Sequence, residues 1–301
     1  MRFLISSVVV VYAGACLAAA AANPEVQVAQ DSLVVTVNEK PVLEYRYNNV
    51  PFKPYVAKLY TPGGINVLRD APHDHLHHHA LMFALGVNGV SYWAETPKDG
   101  KQVHRSFPNP PRQEKVVSET LNWTDPDGKT VLNEMREIDL HADSADDLTL
   151  VTWQSVLYLP KGPESVQLTG SHYYGLGMRF LESMDKGGTF TFGSDDEGEI
   201  VGGDERLTRA PWAAYTAEAG GKPVTVAMFN DPANMRSPTY WFTMHTPFAY
   251  LSATLNLHRE PLQLLQGVGM PLRYGVAVWD GKQEKPAVEK AYKEWLELIK
   301  E

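Results

Sequence analysis

The 301-residue chain is 44% hydrophobic and 21% charged and carries a net charge of −9 at pH 7. A surplus of carboxylates offers no basic face to phosphates, so nucleic acid is not an expected partner, and an anionic membrane surface is disfavoured for the same reason. The composition is that of a globular protein long enough to bury a large core, and a single all-β domain over residues 23–301 is the simplest division.

The chain opens as an export signal would. Arg2 supplies a short positive segment, residues 3–17 are apolar, and Ala20, Ala21 and Ala22 are small residues suited to cleavage. We expect a signal peptide over residues 1–22 and a periplasmic or secreted product, with no membrane span once it is removed. The single cysteine, Cys16, lies inside this segment. Ala13-Gly14-Ala15-Cys16 is a poor lipobox, because leucine is usual where Ala13 stands, so a lipoprotein is the lesser expectation. Cleavage after Ala22 leaves no cysteine, which removes disulfides, thiolate metal sites and cysteine nucleophiles together.

Strand signals dominate the remainder of the chain. Leu33-Val34-Val35-Thr36-Val37 is β-branched, Asn38 to Pro41 reads as a hairpin turn, and residues 42–47 alternate as a strand with one wet face. Pro51, Pro54, Pro62 and Gly63-Gly64 punctuate the next stretch and forbid a long helix. Residues 81–87 are apolar on both faces, as in a central strand, and Asn88-Gly89 is a tight-turn signal. Residues 96–113 carry Pro97, Gly100, Pro108, Pro110 and Pro111 and read as a long loop holding His104 and Arg105. Strand-turn-strand patterns then recur to residue 279, with further runs at 148–159, 190–192, 224–229, 248–257 and 272–279. The one clear helix is terminal, where Val288, Tyr292, Trp295, Leu296 and Ile299 recur at helical spacing behind Pro286. This pattern predicts an all-β antiparallel sandwich with a C-terminal helix, and no strand-helix alternation supports a Rossmann or TIM fold.

Five of the ten histidines fall in His73-Asp74-His75-Leu76-His77-His78-His79, ahead of the buried run. Histidine changes charge near neutral pH and is a common metal ligand, so this density marks a working site. If extended, the segment places His73, His75, His77 and His79 on one side and Asp74 and His78 on the other. Two imidazoles at that spacing can begin a divalent metal site, with His172, His104 or His258 as a third ligand. The same imidazoles can instead act as acid or base on a sugar and hydrogen-bond its hydroxyls, without metal.

A second segment, residues 170–180, combines glycines with Tyr173, Tyr174, His172 and Arg179; its tyrosines can stack on the apolar face of a sugar. A third, Asn256 to Pro261, puts His258 and Glu260 on one face if extended. The polar turn around Asp204 and Glu205 reads as a solvated loop, with ligand binding by these two carboxylates the lesser reading. No P-loop, dinucleotide glycine fingerprint, G-x-S-x-G elbow or H-E-x-x-H helix is present, so no nucleotide cofactor is expected.

Residues 50–55, Arg69 to His79, Gly89 to Glu95, His172 to Phe180, Gly203 to Arg206 and Leu255 to Pro261 resemble bacterial exported proteins of the family labelled methane oxygenase PmoA. The resemblance runs from about Val34 to Trp295. Asp74, His75, His77 and His78 fit that family's Asp-His-Pro-His-His block, with Leu76 in the proline position. The label implies a metal-dependent oxygenase. The family's neighbourhood implies bacterial carbohydrate metabolism instead, and length, strand content and the late Glu260 resemble the galactose-mutarotase type of supersandwich. The expectation is therefore an exported carbohydrate-active enzyme, of epimerase, lyase or hydrolase type. His75, His77, His78, His172 and Glu260 would be its acid–base groups, and Arg69, Asp74, His104, Tyr173, Tyr174, Arg179 and His258 its contacts to a small-molecule or oligosaccharide ligand. A non-catalytic carbohydrate-binding protein and the oxygenase stand as alternatives.

Overall fold

The computed structural model describes residues 24–110, 115–142 and 147–300. The expected signal segment at 1–22, with Cys16, lies outside the described residues.

The described chain is an antiparallel β-sandwich with a C-terminal helix, as the strand patterns predict. One large sheet has ten strands. It opens with Pro24–Val28, Ser32–Val37, Lys40–Arg46 and Tyr55–Leu59 in chain order, and then places Leu81–Ala84 beside Gly175–Arg179. It closes with Tyr250–Thr254, Tyr240–Met244, Glu205–Arg209 and Glu199–Gly202. The facing sheet has eight strands, with Met270–Asp280 and Leu148–Tyr158 at its centre and Lys101–Ser106 at one edge. A small third sheet joins Leu262–Leu265, Ser165–Thr169, Gly86–Val87 and Val90–Ser91.

Alternation explains the layering. Leu33, Val35, Leu43 and Tyr45 turn inward and are buried, while their neighbours stay partly wet. The apolar run 81–87 is buried on both faces but is not one strand: Leu81–Ala84 lies in the ten-stranded sheet, and Gly86–Val87 crosses to the small one. Asn88 and Gly89 both take positive φ, 50° and 82°, as the primed hairpin turn requires.

The loop expected at 96–113 is partly strand. Lys101–Ser106 pairs with Lys115–Thr124, with Gln102 buried and Val103 and Arg105 exposed. The flanking prolines are what hide this strand in the sequence, since period-2 alternation over so few residues is a weak signal.

Between the sheets lies a polar core as well as an apolar one. Arg136 is 0% exposed and donates to both Glu134 oxygens at 2.8 and 2.9 Å. It also donates to Tyr45 Oη at 3.1 Å, to the Pro54 carbonyl at 3.0 Å and to Gln102 Oε1 at 2.9 Å. Gln102 in turn donates to the Phe83 carbonyl at 2.7 Å, and the Tyr45 hydroxyl donates to the buried Glu119. Buried charges persist only when paired in this way.

The helix Lys285–Leu298 starts on Pro286, whose missing N–H costs nothing in the first turn. It caps the outer face of the eight-stranded sheet through Val288, Ala291, Tyr292 and Trp295, which share a second apolar cluster with Trp212 and Phe229. A Cβ at Gly275 would lie 2.8 Å from the Trp295 ring, so the absent side chain is what admits the indole. Among the described residues no helix is long and apolar enough to cross a membrane.

Trp295 is 0% exposed and donates its indole N–H to Thr152 Oγ1 at 2.8 Å. Trp295→Ala should therefore cost about 3–5 kcal/mol, through the cavity and the lost indole hydrogen bond. Urea unfolding of the purified variant would show this as a lowered midpoint with little change in slope.

Candidate functional site

The histidine segment is not extended. Its chain turns back twice, with the His75 N–H on the Pro72 carbonyl and the His78 N–H on the His75 carbonyl, both at 2.9 Å. Ala71 and Ala80 flank it at φ 43° and 45°, and Asp70 and His79 form a bridge at its base. The predicted alternation therefore fails: His75, His77 and His78 gather on one side, and His79 turns to the other. His73 and Leu76 are exposed.

His75, His77 and His78 line a cleft of about 460 Å3, with Trp93, Tyr173, Glu205, Phe242, Met244, Pro247, Phe248 and Tyr250. This volume lies within the usual range for small-molecule sites. The rings are closely packed: His75 stacks on His78 at 4.7 Å, His77 meets His78 edge-on at 4.6 Å, and Phe248 lies 4.9 Å from His75. Tyr250 is admitted by Gly177, where a Cβ would fall 2.0 Å from its hydroxyl oxygen. Tyr174 supports the wall from behind, stacked on Trp93 at 5.1 Å and bonded through its hydroxyl to Ser91 Oγ at 3.0 Å.

Four polar atoms of the lining residues have no hydrogen-bond partner in the protein although buried: His75 Nδ1, His78 Nδ1, Trp93 Nε1 and Tyr250 Oη. Such groups are rare in native structures, because each carries an uncompensated desolvation cost. Burial, reinforced by the neighbouring His77 and His75, pushes the His78 imidazole down to about 2, and burial with Lys53 and His75 also lowers His77. Both are neutral at pH 7.

One carboxylate, Glu205, lines the cleft, and a second, Asp74, lies beside its His75. Asp74 Oδ2 lies 3.2 Å from His75 Nδ1 and accepts from Arg179 Nη2 at 3.2 Å. Glu205, on the first position of its strand, lies 3.2 Å from His172 Nε2. The neighbouring Asp204 has a structural role, accepting from the His245 and Thr246 N–H groups at 3.0 and 2.8 Å and so holding the turn that leads to Phe248.

The other expected site residues fall elsewhere. Glu260 is 81% exposed and lies 3.5 Å from Arg236, a surface ion pair away from the cleft; Glu205 occupies the opposing position instead. His258 is exposed and touches the site only through His172, at 5.7 Å between rings. His104 binds Glu119 at 2.6 Å and lines a separate recess with Tyr47 and Lys101. Arg69 pairs with Glu182 and Asp185 at 3.3 and 3.7 Å. Arg179 is 1% exposed beneath Phe248, its guanidinium carbon 3.3 Å from the ring centre, so it stiffens the wall without lining the cleft. Among the described residues no three His, Cys, Asp or Glu side chains gather as a metal ion would require. Phe242, Phe248 and Tyr250 carry no sequence signal beyond that of core residues.

Behind the histidine loop, His79 is held on both nitrogens, Nδ1 by Asp70 at 2.8 Å and Nε2 by Glu95 at 2.9 Å. Burial opposes its charge, but the hydrogen bonds to Asp70 and Glu95 outweigh this and raise its pKa.

His78 makes stability pH-dependent. Its proton affinity is depressed in the fold and ordinary in the unfolded chain, so protons favour unfolding below about pH 6.5, the ordinary value. Stability should fall with acid by up to about 1.4 kcal/mol per pH unit from this group alone. Urea titrations at pH 6.5 and 5 should show a smaller acid loss for His78→Gln than for the parent chain.

A family model described as a family of unknown function, DUF6807, matches residues 32–293. It carries no methane oxygenase name. No curated protein matches the chain. Among solved structures, the galactosidase domain of the α-galactosidase–sucrose kinase AgaSK is 9% identical, covering 85% of this chain and 42% of its own, with a TM-score of 0.47. The GH36 α-galactosidase AgaA from Geobacillus stearothermophilus is 13% identical over 86% and 41% of the two chains, with a TM-score of 0.45. The Slr1438 protein from Synechocystis sp. PCC 6803 is 9% identical over 87% and 99%, at 0.39. The chain spans about two-fifths of the length of the two galactosidases, and similarity at this level carries no inference about activity. The family match runs from the second strand into the terminal helix, and on that evidence the chain belongs to DUF6807, a family of unknown function.

Proposed function

We propose that the cleft binds an uncharged sugar residue and performs acid–base chemistry on it outside the cytoplasm, where the signal read over residues 1–22 would deliver the protein. The observation that carries this reading is the set of unpartnered buried polar atoms, His75 Nδ1, His78 Nδ1, Trp93 Nε1 and Tyr250 Oη, in an aromatic-walled cleft. A pyranose offers the complement. Its hydroxyls both donate and accept, and its apolar face suits Trp93, Tyr173 and Phe248. Among the described residues no lysine or arginine lines the cleft, and the one lining carboxylate belongs to Glu205. Phosphorylated sugars and uronates would therefore bury their charge without a counterion, at a cost that neutral sugars avoid.

Epimerisation, elimination and hydrolysis each need one group to take a proton and another to give one. Glu205 supplies a carboxylate, oriented by His172. His75 supplies an imidazole whose Nδ1 lies 3.2 Å from Asp74 without a hydrogen bond to it. His77 and His78, held neutral, serve as hydrogen-bonding groups.

Saturation-transfer NMR with neutral hexoses and disaccharides, matched uronates and sugar phosphates tests the reading. Neutral sugars should bind, and Tyr250→Phe should weaken them about tenfold while shifting stability by less than about 0.5 kcal/mol, since its hydroxyl has no protein partner. Glu205→Gln should retain binding and lose product formation. Tighter binding of uronates or phosphates would overturn the charge argument, and binding by none of the three classes would overturn the sugar reading. Capture of neutral sugars without any product would remove the catalytic part and leave a carbohydrate-binding protein.

A further inference from the structure

His79 lies outside the cleft, and none of the chemistry above uses it. Its surroundings are nonetheless tightly constrained. It is 3% exposed, its ring stacks on Tyr55 at 4.5 Å, and both ring nitrogens sit within 2.9 Å of a carboxylate oxygen. A neutral imidazole carries one N–H and one lone pair. In this setting its lone pair would face a carboxylate oxygen at hydrogen-bond distance, which is repulsive. Only the imidazolium can donate to Asp70 and Glu95 together.

The charges around it fit that species. Lys53, 0% exposed, donates to Glu95 at 2.7 Å, and the Tyr55 hydroxyl donates to the second oxygen of Asp70 at 2.8 Å. Arg46 lies 3.8 Å from Asp70, and His77, on the loop itself, is close enough for the His79 charge to oppose its protonation. Asp70 and His79 are also the two ends of the loop that carries His75, His77 and His78. The Ala71 N–H bonds to the His78 carbonyl at 3.0 Å just inside them. The contact that satisfies the carboxylates thus also closes the loop's base.

We propose that His79 is a positioning residue, a permanently protonated imidazolium that clamps Asp70 to Glu95 and so fixes the direction in which His75, His77 and His78 face the cleft. The proposal rests on reading that cleft as a ligand site. Loss of the clamp frees the loop at its base and leaves two half-buried carboxylates, Asp70 with Tyr55 and Glu95 with Lys53, no longer joined to each other, so the effect reaches the cleft without any contact to ligand.

Ring-nitrogen NMR of the full chain gives the first test. Both His79 nitrogens should show the chemical shifts of protonated imidazole from pH 6 to 8. A bare nitrogen at pH 7 would overturn the proposal, and this result needs no variant and no ligand. His79→Gln supplies the second. Its amide puts a donor nitrogen toward one carboxylate and an acceptor oxygen toward the other, so the ring signals of His75, His77 and His78 should move. Affinity for the neutral sugars should fall at least tenfold, while the Trp295 indole signal under the terminal helix stays in place. The double variant His79→Gln with Asp70→Asn should restore both. The asparagine amide introduced at the first end of the loop can donate to the new glutamine carbonyl, and the glutamine amide can donate to Glu95. Unchanged histidine signals in the single variant, or failure of the double variant to restore them, would overturn the proposal. Absence of sugar binding by the parent chain would sink the sugar reading alone and leave the ring-nitrogen result to judge the clamp.

Discussion

The two large sheets meet over one buried guanidinium. Arg136 makes its hydrogen bonds to Glu134, Gln102, Tyr45 and the Pro54 carbonyl, and so touches both layers at once. An ion pair of this kind adds little net stability compared with an apolar core, but it tolerates very little displacement, because any sliding of the sheets would strand a buried charge. That intolerance is useful here. Pro54 leads directly into Tyr55, which stacks on His79, and Gln102 reaches the carbonyl of Phe83 in the strand that comes after the histidine loop. The register of the sandwich and the position of the loop are set by the same group.

From that anchor the site is built outward in two steps. The strand Leu81–Ala84 is fully buried, and the loop before it is closed by Asp70 and His79. The opposite wall comes from residues far along the chain, Glu205, Phe242, Phe248 and Tyr250, on or beside strands in the other half of the same sheet. Glycines 175 and 177 lie in the strand between the two walls. At Gly175 a Cβ would fall 1.8 Å from the Ala253 carbonyl, and at Gly177 it would meet Tyr250. The seam of the cleft therefore needs bare backbone.

The fold class is legible in the sequence because alternation and turn chemistry are local signals, as in Ser32–Val37, Asn88-Gly89 and the terminal helix. The histidine cluster is legible by density alone. Its geometry is not, since alternation presumes an extended chain and the backbone turns at residues 72–78; alternation groups His79 with His75 and His77, whereas the folded loop turns it away from them. Glu260 stands out through its neighbour His258, yet a carboxylate on a solvated turn has nothing to hold it toward a site. Glu205 sits in a turn of the same appearance, and only the sheet order, which sets its strand beside Tyr240–Met244, brings it to the cleft. Phe242, Phe248 and Tyr250 are aromatic residues in or next to strands, and nothing local separates a wall from a core.

The order of strands in the ten-stranded sheet has a consequence for how the molecule comes into being. Leu81–Ala84 has neighbours at Tyr55–Leu59 and at Gly175–Arg179, and the latter pairs next with Tyr250–Thr254. Each of these last pairings closes a long stretch of intervening chain, which is the slow kind of contact in folding. The early hairpins can form as the chain emerges, but the cleft cannot exist until the final quarter of the sequence has been threaded alongside the histidine strand. A chain halted before Tyr250 would hold every histidine of the loop and no binding site at all.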